Sequence, residues 1–197
     1  MIAYLDGKLA YKDPTYAIID IQGMGYETKI SLQTFSGLPA PGERCKLFTW
    51  LYVREDAQIL FGFSVPDEKD LFLDLISVSG IGPATALVML SSLSSQEIRH
   101  AIIQEDVRVV QSIKGIGSKT AQRVILELKD KMKKHSLMGG VNVPSGASAG
   151  NAVRSEALAA LVTLGIARPV AEKSLDAILK MKGSDISLEE LIKLALR

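Results

Sequence analysis

Two short glycine-containing stretches hold the residues of this chain that are best suited to bind a ligand. Val78–Ala86 reads Val-Ser-Gly-Ile-Gly-Pro-Ala-Thr-Ala, and Ile113–Ala121 reads Ile-Lys-Gly-Ile-Gly-Ser-Lys-Thr-Ala, 35 positions later. Each stretch predicts a tight glycine turn that leads into a helix, because helix-forming residues come next. The first N–H groups of such a helix face outward and, with the helix dipole, favour an anion. An internal repeat indicates one structural unit used twice, so we expect two anion sites.

The predicted contacts at these sites are turn residues, hydroxyl groups and cations. They are Gly80, Gly82, Pro83, Thr85, Gly115, Gly117, Ser118, Lys119, Thr120 and Arg123. A paired motif of this kind most often holds a nucleic-acid phosphate. The alternative is that each Gly-Ile-Gly turn only joins two packed helices, and one copy alone would leave both interpretations open. Two copies, the second with basic residues, favour DNA, and the pattern resembles the helix-hairpin-helix family of sequence-independent DNA binders.

The charge distribution supports a nucleic-acid partner, although the formal net charge is only +1. The segment Ile113–His135 holds seven basic and two acidic residues, so positive charge is concentrated on the second repeat and the helix after it. Clustered charge, rather than total charge, is the electrostatic sign of a DNA-binding surface.

Residues for catalysis are scarce. Two histidines and one cysteine are too few for a usual zinc site. The stretch Gly115–Thr120 lacks the spacing of a phosphate loop, so we expect no ATP hydrolysis by this chain. We predict no catalytic residue, no metal and no cofactor. A nuclease or glycosylase would need carboxylates beside the turns, and Asp74 and Glu127 are the only candidates nearby.

The composition indicates a cytoplasmic protein with no membrane segment. The apolar runs are much shorter than a membrane span, and the N-terminus carries no recognisable secretory signal. The single cysteine, Cys45, rules out an intrachain disulfide and fits a reducing compartment.

The elements that would position the turns begin with a β domain over residues 1–63. Turn-forming residues separate five segments rich in β-branched and aromatic residues. The predicted strands are Ile2–Ala10, Thr15–Gln22, Tyr26–Leu32, Arg44–Val53 and Gln58–Phe63. A short helix fits at Gln33–Gly37. Five strands in so short a segment predict a small closed barrel of the OB-fold type.

Residues 64–135 predict an all-helical domain of about five short helices that contains both turns. Ser64 or Asp67 is the expected cap of its first helix, which would run through Val78. Ser94 with Glu97 caps a later helix.

The remainder divides into a linker and a small bundle. Residues 136–150 lack Asp, Glu, Lys and Arg and are rich in Gly and Ser, which predicts a flexible linker. Residues 151–197 predict three helices. The first, near Val153 to Leu164, stops at Gly165. Pro169 begins the second, and Ser187 with Glu190 forms a capping box for the third. This bundle resembles the ubiquitin-associated type.

The whole arrangement resembles the RuvA family of bacterial Holliday junction branch-migration proteins. The opening Met1–Leu9, the stretch Arg54–Phe63, both Gly-Ile-Gly turns and the domain order carry this resemblance over nearly the entire chain. It implies a homotetramer that holds a four-way DNA junction open and square-planar. It also implies a RuvB-type hexameric AAA+ motor as partner, together with a RuvC-type junction resolvase.

The resemblance also implies roles for particular residues. Glu55 and Asp56 match an acidic pin near the tetramer centre, where carboxylates would repel phosphates; from the residues alone they are a charged hairpin tip. Leu161, Leu164 and Ile166 match the motor-binding surface, although apolar residues at these positions could equally belong to a core. Relatives often carry a lysine where this chain has Ala84, so the first turn lacks its own cation.

Three functions remain open from the residues. The first is a non-catalytic, structure-selective DNA-binding subunit. The second is a nuclease or glycosylase that uses the turns to grip DNA. The third is a protein-interaction scaffold whose barrel and bundle bind other proteins.

Overall fold

Five strands close into a barrel at the N-terminus, in a computed structural model that describes residues 1–139, 149–183 and 186–196. They are β1 Tyr4–Lys12, β2 Tyr16–Ile21, β3 Met24–Ile30, β4 Arg44–Val53 and β5 Gln58–Phe63. Their order around the barrel is β1-β2-β3-β5-β4, and β4 pairs with β1 to close it. Only the β3–β5 pairing is parallel. The predicted OB-type barrel is confirmed.

The third strand differs from its predicted range of Tyr26–Leu32. It begins at Met24 because Gln22 and Gly23, both at positive φ, make a two-residue hairpin turn. It ends at Ile30 because Ser31 caps α1, Leu32–Gly37, by accepting a hydrogen bond from the Thr34 N–H.

Five helices follow the barrel and pack with it into one unit, Met1–Met138. They are α2 Pro66–Ser77, α3 Pro83–Ser92, α4 Ser95–Ile103, α5 Val107–Gln111 and α6 Ser118–Gly139. The Ser94–Glu97 capping box of α4 is confirmed. The predicted cap of α2 is wrong, because Val65 occupies that position without a side-chain hydrogen bond and Pro66 follows it.

Residues 136–139 continue α6, so the predicted linker begins too early. A second unit, Gly139–Arg197, contains α7 Ala149–Thr163, α8 Arg168–Lys182 and α9 Leu188–Ala195. Residues 140–148 of the predicted linker lie outside the described residues, and its last two residues belong to α7.

The three helices of the second unit pack around a small apolar core that includes Ala157, Leu161 and Leu175. Gly165 has a φ of 92° just after α7, as expected for a glycine that ends a helix. The second helix begins at Arg168, one residue before the predicted Pro169. Across the described part of the chain, no helix is both long and apolar enough to span a membrane.

A buried carboxylate connects the barrel to α2. Both oxygens of Glu68 accept hydrogen bonds, one from the Ser31 hydroxyl and the other from Thr34 Oγ1 at 2.7 Å. Both hydroxyls also accept from backbone N–H groups, those of Thr34 and Ser64. Desolvation nevertheless raises the pKa of the Glu68 carboxyl, and the two hydroxyl donors oppose that shift only in part.

This raised pKa predicts the sign of a pH effect on stability. The folded state keeps a proton on Glu68 at pH values where the unfolded chain has released it, so stability should fall as pH rises through the raised pKa. Glu68→Gln cannot titrate and should remove this contribution. Chemical denaturation of both proteins from pH 4.5 to 8 should show the stability of the parent falling relative to the variant. A stability difference between the two proteins that stays constant with pH, or that changes in the opposite direction, would contradict the assignment of a raised pKa to burial.

Candidate nucleic-acid interface

The two Gly-Ile-Gly turns have the same backbone geometry. Gly80 and Gly115 have φ values of 95° and 90°, a region that favours glycine. The N–H of Ile81 donates to the Val78 carbonyl at 3.0 Å, and the N–H of Ile116 donates to the Ile113 carbonyl at 3.1 Å. Both isoleucine side chains are 5% exposed and belong to the shared core. The prediction of a repeated tight glycine turn is therefore confirmed, and the structure adds that its middle residue is buried in each copy.

The second glycine of each turn faces open space. Gly82 is the N-cap of α3 with a φ of −88°, and Gly117 directly precedes α6 without a positive φ. A Cβ atom built on either residue would meet no atom of the protein within 4 Å. The described fold gives neither position a steric need for glycine, so the missing side chain leaves room for something outside the protein to approach the backbone.

Backbone donors surround these two glycines. The first helical hydrogen bonds run from Ala86 N to Gly82 O at 3.0 Å and from Ala121 N to Gly117 O at 2.9 Å. The N–H groups before them have no backbone acceptor within residues 1–139: those of Ala84 and Thr85 in α3, and those of Ser118, Lys119 and Thr120 in α6. Each turn thus presents a set of N–H donors at a helix N-terminus, where the dipole also favours negative charge.

Cations are distributed unequally between the two turns. In the repeat, Ala84 corresponds to Lys119 and Val88 corresponds to Arg123, and α3 contains no charged residue. Lys119 is exposed beside the second turn. Arg123 is half-exposed, and its Nη1 donates to the carbonyl oxygen of Ser79 at 3.2 Å, directly before Gly80. Sequence reasoning missed this connection between the turns, because no local pattern indicates it.

The two acidic residues that match the predicted pin, Glu55 and Asp56, lie at a hairpin tip, as the sequence predicts. Glu55 and Asp56 are exposed in the connection between β4 and β5, and the Arg54 N–H donates to the Ala57 carbonyl at 2.8 Å across it. The guanidinium carbon of Arg54 is 5.0 Å from the ring centroid of Tyr52. The tip therefore carries two carboxylates with one cation held just behind them.

The candidate residues for nuclease chemistry are engaged in ion pairs. Asp74 is buried in α2, and Lys131 Nζ lies 2.6 Å from its Oδ1. Glu127 lies 3.7 Å from Arg123 Nε. Within the described ranges, no three His, Cys, Asp or Glu side chains cluster as they would to hold a metal ion.

The residues predicted to bind a motor separate into core and surface. Leu161 is fully buried in the core of the second unit, as in the alternative that an apolar residue at this position belongs to a core. Ile166 is partly buried and packs against the same core. Leu164 is 62% exposed, and Val162 and Val170, which the sequence did not single out, are also exposed around Gly165. Three exposed apolar side chains of this unit therefore lie within five positions of Gly165 in the chain.

Family models match three parts of the chain. The RuvA N terminal domain matches residues 1–62, a SAM-like helix-hairpin-helix tandem matches residues 72–130, and the RuvA C-terminal domain matches residues 152–197.

Curated relatives match the chain over its full length. A protein of Cytophaga hutchinsonii is 56% identical over 100% of this chain and 99% of its own length. Proteins of Amoebophilus asiaticus and Bacteroides thetaiotaomicron are 48% and 45% identical, again over 100% of this chain and 100% and 99% of their own lengths. Each of the three is named Holliday junction branch migration complex subunit RuvA.

Replacement by alanine should affect stability differently at the two glycines of one turn. Gly80→Ala forces a side chain into a positive-φ conformation and should lower the free energy of unfolding by at least about 1 kcal/mol. Gly82→Ala meets no steric conflict and should change it by no more than about 0.5 kcal/mol, because alanine restricts the unfolded chain but is a poorer N-cap than glycine. Denaturant titration measures both values. Equal losses at the two positions would show that the fold itself requires glycine at position 82.

Proposed function

The chain belongs to the RuvA family, and we propose that it binds four-way DNA junctions without regard to base sequence. In this role it is the non-catalytic subunit of a branch-migration complex, and the energy for movement comes from a separate motor. The relatives' name states the junction and the complex. What supports the proposal in this chain is the pair of turns, each of which offers backbone donors beside an open glycine.

The chemistry of the turns fits phosphate better than bases. Backbone N–H groups and a helix dipole recognise the charge and oxygen atoms of a phosphate, which are the same in every nucleotide. Binding should therefore ignore sequence and depend on the shape of the DNA. The proposed contacts are the ten residues of the two turns identified above, from Gly80 to Arg123.

We further propose that four copies assemble around the junction and hold it open and square-planar. Four equivalent subunits match the four duplex arms, so each subunit would hold one arm with its own pair of turns. Glu55 and Asp56 would then repel phosphates near the crossover, where like charges on the protein and the DNA oppose close approach.

The second unit is proposed to contact the motor, a RuvB-type hexameric AAA+ protein. Exposed apolar side chains grouped around Leu164 are the kind of surface that protein partners cover. The proposed domains are the barrel at 1–63, the tandem hairpins from residue 64 to the end of α6, a linker between α6 and α7, and the motor-binding bundle of α7 to α9. A RuvC-type resolvase would act on the same junction, and we expect the activity to be cytoplasmic.

The direct test is a gel shift that compares a four-way junction with linear duplex of the same sequence. The parent chain should prefer the junction, and a magnesium incubation should leave both DNAs uncut. Gly82→Ala with Gly117→Ala should keep the fold and weaken junction binding. Equal affinity for junction and duplex would favour the scaffold function, whereas cleavage would favour the nuclease.

Lys119→Ala should weaken junction binding by a similar factor for all base sequences. Each lost phosphate contact should lower the slope of log affinity against log salt by about one unit, and four subunits would multiply this effect. The free energy of unfolding should change by no more than about 0.5 kcal/mol, because Lys119 is exposed. Salt titrations on one junction provide the measurement.

Lys129→Ala is the matched control for this charge change. Lys129 lies on the same helix about three turns further on and pairs with Glu105. It should therefore change the slope less than Lys119→Ala. The phosphate assignment of Lys119 would lose its support if that variant kept the parent's slope and affinity.

Glu55→Gln with Asp56→Asn should remove repulsion at the hairpin tip. Junction affinity should stay the same or increase, and the preference for junction over duplex should fall, because the tip no longer disfavours continuous phosphate backbones. Gel shifts on both DNAs measure the preference. A marked loss of junction affinity would instead indicate that the two carboxylates stabilise the barrel.

Leu164→Asp should abolish stimulation of the motor while leaving junction binding intact. A charge at this exposed position disrupts an apolar contact without entering the core of the bundle. Met181→Asp is the control, since Met181 is also exposed but lies on α8 about 20 Å from its start at Arg168, by the rise per residue. Branch-migration assays with the motor should separate the two. Equal loss in both variants would mean that neither change is specific to the Leu164 surface.

A further inference from the structure

We propose that Arg123, on the second hairpin, supplies the cation for the phosphate site of the first. This inference rests on the proposed function and concerns which residue provides charge at one of its sites. It would make the two hairpins a coupled pair rather than two independent phosphate sites.

The first hairpin has no cation of its own. Its helix α3 reads Pro-Ala-Thr-Ala-Leu-Val-Met-Leu-Ser-Ser, and Ala84 and Val88 stand where the second hairpin has Lys119 and Arg123. Its backbone nevertheless has the same form as the second turn, with a positive-φ glycine, a buried isoleucine and an open N-cap glycine. The donors of a phosphate site are thus present without the charge that usually accompanies them.

Arg123 reaches this uncharged turn from α6. Its Nη1 is 3.2 Å from the carbonyl oxygen of Ser79, the residue directly before Gly80. A guanidinium has five N–H donors in a planar fork, so one bond to a carbonyl leaves others available for a phosphate. The nearest carboxylate, that of Glu127, is 3.7 Å from Nε and solvent-exposed, so it is a weak competitor.

The contact also fixes where the charge lies. Because the guanidinium donates a hydrogen bond to the Ser79 carbonyl oxygen, the side chain is held at the entrance of the first turn and does not extend freely into solvent. Lysine has a single charged nitrogen on a flexible stem and cannot provide the same planar bridge. Arg123 is therefore both a contact residue and a positioning residue for the Ser79–Gly80 peptide.

Ala84→Lys gives this inference a sharp test, since it restores a cation at the position that corresponds to Lys119. Four full-length proteins are compared on one junction: parent, Arg123→Ala, Ala84→Lys and the double variant. Arg123→Ala should lower affinity by about tenfold or more and reduce the salt slope. In the Arg123→Ala background, Ala84→Lys should recover affinity and salt slope. Its gain in junction affinity there should exceed its gain in the parent by about threefold or more.

The control cycle replaces Arg123→Ala with Lys119→Ala. Lys119 serves the second hairpin, so Ala84→Lys should add to its effect without coupling. Additive behaviour in both cycles, or an Arg123→Ala variant that binds like the parent, would overturn the inference. The inference would also fail if Arg123→Ala lost thermal stability and Ala84→Lys restored neither stability nor affinity, because Arg123 would then be a purely structural bridge.

The junction preference of the parent protein distinguishes failure of this inference from failure of the proposed function. A parent that prefers junctions while both cycles are additive would retain the function and reject the role of Arg123. A parent without junction preference would reject the function itself.

Discussion

The packing of Phe72 against the barrel is the contact on which the rest of the N-terminal unit depends. Its ring centroid lies 4.9 Å from that of Phe63, 5.2 Å from Phe61 and 5.5 Å from Trp50. These residues belong to a core that continues through the buried isoleucines of both turns. The acidic tip of the barrel and the donors of the two hairpins are consequently held by one apolar core, and a change in Phe72 would shift one relative to the other.

Local signals explain why so much of this unit could be predicted from the sequence. The ranges of β4 and β5 and the cap at Ser94 follow from residues that lie within a few positions of each boundary. The hairpin turns could also be predicted from the sequence, because a repeated Gly-Ile-Gly specifies backbone conformation by itself. Where two local signals competed, as at the start of α2, the proline determined the boundary and the expected polar cap was not used.

Features that depend on tertiary packing could not be predicted in the same way. Leu161 and Leu164 are three residues apart and chemically identical, yet one is buried and the other exposed, because the chain turns away from the core at Gly165. The bond from Arg123 to Ser79 spans 44 positions and depends on how α6 lies against the first turn. The hydrogen bonds of Glu68 likewise depend on α1 meeting α2, which no periodicity of either segment indicates.

The two turns share their backbone conformation but differ in charge, because different residues determine the two properties. The conformation depends on a positive-φ glycine and a buried isoleucine, whereas the charge depends on the side chains of the helix that follows. Residues of α3, including Ala84, Leu87 and Val88, line a groove together with Ile59 and Phe61 of the barrel. Ala84 and Val88 are nevertheless exposed, so a longer basic side chain at either position would reach solvent, and burial does not exclude a cation there. The helix of the second turn carries Lys119 and Arg123 on exposed or half-exposed positions, where charge keeps its water. The backbone donors are therefore common to both turns, whereas the charge depends on exposed side chains that the fold of the turn does not specify.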